Sequence, residues 1–264
     1  MIGLPLSERN GVVGSYPVTA YSALNALGAT TREVIRALDT GTSGLAPCSM
    51  DLPFETYTGA APGPLPALPA ALSAFDSRSA RLAVAALEEV RPALASTIAR
   101  HGSDRVALVL GTTTAGLDRT ERAYHQLRQT GALPTGYDLA RQHAFGGLLE
   151  AVRRAAGVTG PAYVVSTACS ASAKALGSAQ RLLATEVVDA VLVGGVDSLC
   201  QTTLHGFHSL EILSRERCRP LSGARTGINI GEGAAYLLLE RRGDSHAHLL
   251  GVGESSDEIG RPHV

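Results

Sequence analysis

The sequence predicts an α/β fold built on a five-stranded mixed sheet with helices on both faces, and three observations carry that prediction. Short apolar runs rich in β-branched or leucine residues recur near residues 18, 106, 163, 190 and 235. Segments with apolar residues at helical spacing stand between the earlier runs, as at Leu82, Ala83, Ala86, Leu87 and Val90. Runs such as Val106-Ala107-Leu108-Val109-Leu110 lack polar alternation, the pattern of strands covered on both faces.

In chain order, Val18 to Tyr21 reads as a first strand and Thr31 to Leu38 as a helix with Thr30 or Thr31 as its cap. Gly41 to Pro69 is rich in proline and glycine with little periodicity, which predicts a long irregular connection. Ser79 to Ile98 predicts a helix kinked or restarted at Pro92. The strand at 106–110 ends in Gly111-Thr112-Thr113-Thr114-Ala115-Gly116, a glycine-bounded loop at the carboxyl end of a central strand, where open α/β sheets place ligand contacts; a simple turn is the alternative. Asp118 to Gln129 and Asp138 to Gly157 read as helices whose histidines, His125 and His143, serve surface or packing roles. Asp189 to Gly195 is another short buried strand, whose two glycines fit close backbone packing better than a dinucleotide fingerprint. Gly227 to Gly233 lacks the lysine and hydroxyl residue of a phosphate loop and leads into the strand Ala235 to Glu240, with one more strand available within His246 to Val252.

The stretch from Tyr163 to Ala179 organises the chain. It opens as a β-branched run with the pattern of a doubly buried strand and becomes alanine-rich at Cys169. A cysteine at the entrance to a helix sits where unpaired backbone N–H groups and the positive end of the helix dipole favour an anion, which describes a nucleophile. A small buried hydrophobe is the alternative reading. Ala171, Ala173, Ala175, Gly177 and Ala179 leave almost no polar face, so the helix is expected to be packed on all sides with the thiol at the end of a tunnel. His205-Gly206-Phe207-His208 offers a candidate cysteine–histidine pair, although nearness in sequence does not establish it.

Composition bounds the function. The 264 residues suffice for one large or two small domains, and a formal net charge of -1 carries no footprint for nucleic acid or an anionic membrane. Cysteines at 48, 169, 200 and 218 have neither CxxC pairing nor metal-ligand spacing, which points to a reducing cytoplasm. The first ten residues contain no signal-peptide or membrane-anchor pattern.

Ser166-Thr167-Ala168-Cys169-Ser170, then Val193-Gly194-Gly195-Val196-Asp197, Arg219-Pro220-Leu221-Ser222, Gly227-Ile228-Asn229-Ile230-Gly231-Glu232-Gly233-Ala234 and Gly253-Glu254-Ser255-Ser256-Asp257 resemble, in order and spacing, the elongating β-ketoacyl-acyl-carrier-protein synthases of thiolase fold. The likeness spans residues 17–257, leaving 1–16 as an extension and 258–264 as a divergent tail. Within that family it looks closest to bacterial enzymes of aryl polyene and related lipid pathways.

The resemblance implies the first of two thiolase-like halves and a decarboxylative Claisen condensation with Cys169 as nucleophile. It puts Thr114, Phe207 and Ile228 beside the acyl pocket and Asp257 at the opening of a gating loop. Relatives often have a bulkier apolar residue at Thr114, so a wider or more polar pocket is expected. No metal or redox cofactor is implied, since substrates ride on the phosphopantetheine of an acyl carrier protein. The implied assembly is a homodimer or a ketosynthase/chain-length-factor heterodimer. The family's two catalytic histidines and its glycine-rich oxyanion loop belong to a second half not found in these residues, so catalysis is expected to be incomplete without one. Two other classes fit less well: a non-catalytic chain-length partner, which commonly lacks the cysteine, and a thioester hydrolase or transferase, for which there is no G-x-S-x-G elbow.

Overall fold

The computed structural model describes residues 14–255, and its first structural decision is made by polar capping. Strand β1 (Tyr16–Asn25) leads to helix α1 (Thr31–Asp39), which starts at Thr30 because the Thr30 hydroxyl accepts from Glu33 N–H while Glu33 reaches back to the Thr30 N–H. The connection that follows is not wholly irregular. It contains β2 (Ala46–Pro47) and β3 (Tyr57–Gly59), which join β7 (Ile230–Gly231) in a small second sheet. Elements of two or three residues are too short for periodicity to reveal.

Helix α2 (Arg78–His101), capped by the Ser77 hydroxyl, runs through Pro92 as one element, so it does not restart there. It buries Leu82, Leu87, Val90 and Leu94 on the sheet, and that contact outweighs the one backbone hydrogen bond that proline removes. Strand β4 (Val106–Gly111) is buried at every residue. Its even-numbered residues Val106, Leu108 and Leu110 face the α2 side, and Ala107 and Val109 face the other.

After α3 (Leu117–Thr130), the helix expected from Asp138 to Gly157 is two: α4 (Leu139–Gln142) and α5 (Phe145–Ala156). Gly147 lies against the Arg141 and Ala140 carbonyls, where an added Cβ would stand 2.2 and 2.6 Å from those oxygens, so the chain folds back rather than continuing straight. Strand β5 (Ala162–Val165) passes through a turn into α6 (Ala171–Ala184), followed by β6 (Ala190–Asp197), α7 (Gln201–Ser209), β8 (Gly233–Glu240) and β9 (His248–Leu249).

The main sheet has order β5-β4-β6-β8-β1-β9: six strands where five were expected, the sixth being the two-residue β9 within the segment read as able to form one more. Strands β5, β4 and β6 are parallel, and β8 and β1 antiparallel to their neighbours, so the sheet is mixed as expected. Helices α2 and α5 cover one face and α6 the other. Strand β5 is an edge strand, half-buried throughout, which corrects the doubly buried reading. No helix among the described residues is long and apolar enough to cross a membrane. Asp257 and the tail at 258–264 lie outside the described residues, as do residues 1–13 of the extension.

Candidate active site

Parallel strands β5, β4 and β6 deliver three loops to their shared carboxyl end: residues 166–170, 112–116 and 198–200. Adjacent strand ends stay joined as pairing stops, because the Thr112 N–H donates to the Val165 carbonyl at 3.2 Å. Cys169 occupies a single 3-10 turn, Ala168–Ser170, just before α6. The Ser170 hydroxyl braces that turn, donating to the Thr167 carbonyl at 2.8 Å. Ala168 takes a left-handed φ of 52°, and Ala115 in the neighbouring loop takes 42°. For a residue with a Cβ this costs roughly 1–2 kcal/mol, and such strain persists where the surrounding structure holds it. The sharp turn at Ala168 sets Cys169 at the mouth of α6.

The glycines explain how α6 comes so near the sheet. A Cβ on Gly111 would meet the Ser172 backbone at 2.7 Å, and one on Gly195 would meet Ser172 Oγ at 2.1 Å. Gly194 in turn passes 2.2 Å, measured from an added Cβ, from the Ala235 carbonyl, so close packing accounts for both glycines of β6. Gly111→Ala is therefore expected to displace the first turn of α6, costing about 1–3 kcal/mol and slowing alkylation of Cys169. Gly195→Ala should do less, because Ser172 Oγ can rotate away. Thermal melts and iodoacetamide kinetics on the two variants check the order.

The thiol does not sit in a tunnel. Cys169 is exposed, and α6 buries Ala171, Ala175, Ala179 and Leu183 on its sheet side and Gly177 under Val252 and Glu254, while Ala173 is exposed. Small size allowed those alanines to approach the sheet; it did not require cover on every side. The segment after β9 crosses the outer surface of α6, where Glu254 pairs with Lys174 at 2.9 Å. The other cysteines differ. Cys200 is buried beside the Thr203 hydroxyl, and burial pushes its thiol pKa up; Cys48 and Cys218 are half-buried.

Of the other predicted residues, Phe207 and Ile228 are joined through Ile212, whose N–H donates to the Phe207 carbonyl at 3.4 Å and whose carbonyl accepts from the Ile228 N–H at 2.8 Å. Thr114 is buried, Phe207 is half-buried on α7, and Ile228 is exposed at 42%. None of the three lines the cleft of about 850 Å³ between α3 and the start of α7, whose walls include Arg78, Asp118, Glu121, Arg122 and His125. Burial raises the Asp118 carboxyl pKa there, partly offset by Arg122 and the Arg78 N–H. His205 and His208 do not pair with the thiol; both rings pack on Phe54, with His208 stacked at 3.7 Å and His205 edge-on at 5.3 Å. His143 bonds to Thr120 Oγ1 and His125 to Gln129, the packing and surface roles expected of them. Among the described residues no group of three His, Cys, Asp or Glu side chains is placed to hold a metal ion.

Two carboxylates that sequence reasoning did not single out frame the site. Asp197, the last residue of β6, accepts through Oδ1 from Thr113 N–H at 2.8 Å, Thr114 N–H at 2.7 Å and the Thr112 and Thr114 hydroxyls. Glu232 is buried and holds Arg78, Ala61 N–H and Leu199 N–H together. The available signal was a lone acid at the end of an apolar strand, and another between two glycines in an uncharged run; such residues are rarely buried unless paired.

The mixed α/β sheet with helices on both faces, and an exposed cysteine on a strained strand-to-helix turn at its carboxyl end, make a thiolase-like fold. The family model of the β-ketoacyl synthase N-terminal domain matches residues 18–245, and the chain belongs to that family. Nodulation protein E of Rhizobium meliloti (strain 1021) is 28% identical over 254 residues, covering 91% of this chain and 63% of the relative. The 3-oxoacyl-acyl-carrier-protein synthase 2 of the same strain is 35% identical over 113 residues, 37% of this chain and 27% of that protein. Among solved structures, the ketosynthase ApeO in complex with its chain length factor ApeC from Xenorhabdus doucetiae aligns with a TM-score of 0.81 and 34% identity, over 92% of this chain and 61% of that one. The chain thus spans about three fifths of the length of Nodulation protein E and of the ketosynthase structure.

Proposed function

We propose that this chain carries the nucleophile of a β-ketoacyl-acyl-carrier-protein synthase. The Cys169 sulfur attacks the carbonyl carbon of an acyl thioester on a carrier protein's phosphopantetheine arm, and the phosphopantetheine thiol leaves. Malonyl-carrier protein then loses carbon dioxide; the resulting carbanion attacks the Cys169 thioester, forms the new carbon–carbon bond and releases the cysteine. The Cys169 N–H supplies one donor to the oxyanion that forms at each attack. The observation that carries this reading is the exposed Cys169 held by the left-handed turn at Ala168. The proposed partners are an acyl carrier protein and a second ketosynthase-fold subunit, either a copy of this chain or a chain length factor, in a cytoplasmic pathway of fatty acid or polyene type. Solved relatives whose descriptions name those partners support the proposal.

The experiment is to incubate the protein with labelled acyl-carrier protein and map the adduct. Label on Cys169 is expected. Label mainly on Cys48, Cys200 or Cys218, or no transfer even when a histidine-bearing second half is supplied, would overturn the reading. A chain that stays unlabelled while changing a partner ketosynthase's product length would be a non-catalytic chain-length subunit instead.

A further inference from the structure

We propose that the outer face of α6 carries a carboxylate seat, Gly177 between Lys174 and Arg181, and that Glu254 in this seat latches the segment after β9 onto the helix that follows Cys169. The latch concerns how the chain is held together and does not depend on what Cys169 does.

The segment relies on side chains because its backbone supplies no hold. Residues 250–255 follow the two-residue β9 and, among the described residues, join no strand pairing and no backbone hydrogen bond. Leu250 is 72% exposed, and a Cβ added at Gly251 or Gly253 would meet nothing within 4 Å. What remains is Val252 and Glu254, two residues apart and so on one side of an extended chain, and both lie over Gly177.

The seat follows from helix geometry. Residues 174, 177 and 181 are spaced by three and four, so they share one face of α6 and two cations flank the residue that has no side chain. Glu254 fills that gap: its Oε2 accepts from Lys174 Nζ at 2.9 Å, and its Oε1 stands 3.9 Å from Arg181 Nη1. A Cβ on Gly177 would stand 3.2 Å from Glu254 Oε1 and 3.3 Å from Val252 Cγ1, so a side chain there crowds the carboxylate. Arg181 is steadied by its own helix, donating from Nη2 to Ser178 Oγ at 3.2 Å. Lys174 holds the Glu254 carboxyl below the usual carboxylate range. The paired side chains of Lys174 and Glu254 keep 36% and 37% of their exposure, so water and salt weaken the contact and it acts as a reversible latch. Lys174 lies about 7.5 Å along the helix beyond Cys169, at 1.5 Å per residue. The seated segment therefore crosses α6 behind the thiol, which stays exposed.

The test is cleavage after Glu254 by a glutamate-specific protease in the full chain, followed by mass spectrometry as release of residues 255–264 and read as a ratio to cleavage after the exposed Glu211. The protease cuts the unseated segment, so the rate follows its population. Lys174→Ala is expected to raise the ratio about three- to fivefold, the scale of a partly exposed ion pair, and Lys174→Arg to keep the parent value. Gly177→Ala should raise it as well, because the methyl group displaces the carboxylate. Raising salt from about 0.05 to about 0.5 M should bring the parent towards Lys174→Ala while leaving that variant unchanged. A parent ratio insensitive to salt, a Lys174→Ala ratio equal to the parent's, or a Lys174→Arg ratio as high as that of Lys174→Ala would overturn the latch. No acyl group or carrier protein enters this assay, so the latch and the proposed function fail separately.

Discussion

Cys169→Ala is expected to reduce acyl transfer from acyl-carrier protein to background, a loss on the order of 10³- to 10⁶-fold, as when a covalent nucleophile is removed from other enzymes. Neither half-buried Cys48 and Cys218 nor buried Cys200 can substitute, because none shares the turn before α6. The same change should leave stability within about 0.5 kcal/mol, since an exposed side chain away from caps and networks contributes little to folding. That separation is what makes the result informative: activity disappears while the melting curve stays in place. Cys169→Ser should keep the fold and recover only a small part of the transfer, as a hydroxyl beside no general base is a poor nucleophile. Single-turnover transfer assays alongside melts give both readings. Transfer retained at more than a few per cent in Cys169→Ala would put the nucleophile elsewhere.

The sequence was legible where local chemistry and tertiary structure agree. Strand β4 was read almost residue for residue because burial on both faces leaves an unbroken apolar run, and Thr30 was a readable cap because its hydroxyl and Glu33 act within one turn. The strand-to-helix switch at Cys169 was legible for the same reason, as the change from β-branched residues to alanine falls at the turn itself. What could not be read depends on neighbours remote in the chain. Strand β5 has the composition of a central strand and lies at an edge, a difference set by strand order. Pro92 looks disruptive in isolation and is carried by the packing of Leu87, Val90 and Leu94. At the loop Thr112–Thr114, periodicity could not say which threonine turns inward, because the choice is made by Asp197, more than eighty residues away. The histidines of α7 drew attention by their nearness in sequence to a motif, whereas their rings are held by Phe54 from the connection before α2.

Glu232→Ala is expected to be the most destabilising single change near the site, by about 3–5 kcal/mol, as when one partner of a buried ion pair is removed. The Glu232 side chain has no solvent exposure, and its two oxygens receive Arg78 Nε at 2.6 Å, Arg78 Nη2, Ala61 N–H at 2.9 Å and Leu199 N–H at 3.1 Å. Alanine leaves two buried N–H groups without an acceptor, each costing about 1–3 kcal/mol, and a guanidinium whose charge has lost its closest partner. Arg78 is 32% exposed, so water recovers part of that charge term and the lower half of the range is expected. At about 2–4 °C per kcal/mol for a chain of this size, the melting temperature should fall by roughly 6–15 °C. The loss should also reach the site. Leu199 is two residues beyond Asp197, and the Arg78 N–H bonds Asp118 in the first turn of α3, so Glu232 ties down the far ends of both segments that the Asp197 carboxylate joins. Glu232→Gln keeps an oxygen for the backbone donors and should cost less than half as much, giving an order of parent, Gln, Ala in denaturation midpoint. A Glu232→Ala melt within about 2 °C of the parent would mean that these contacts hold nothing the rest of the fold does not already hold.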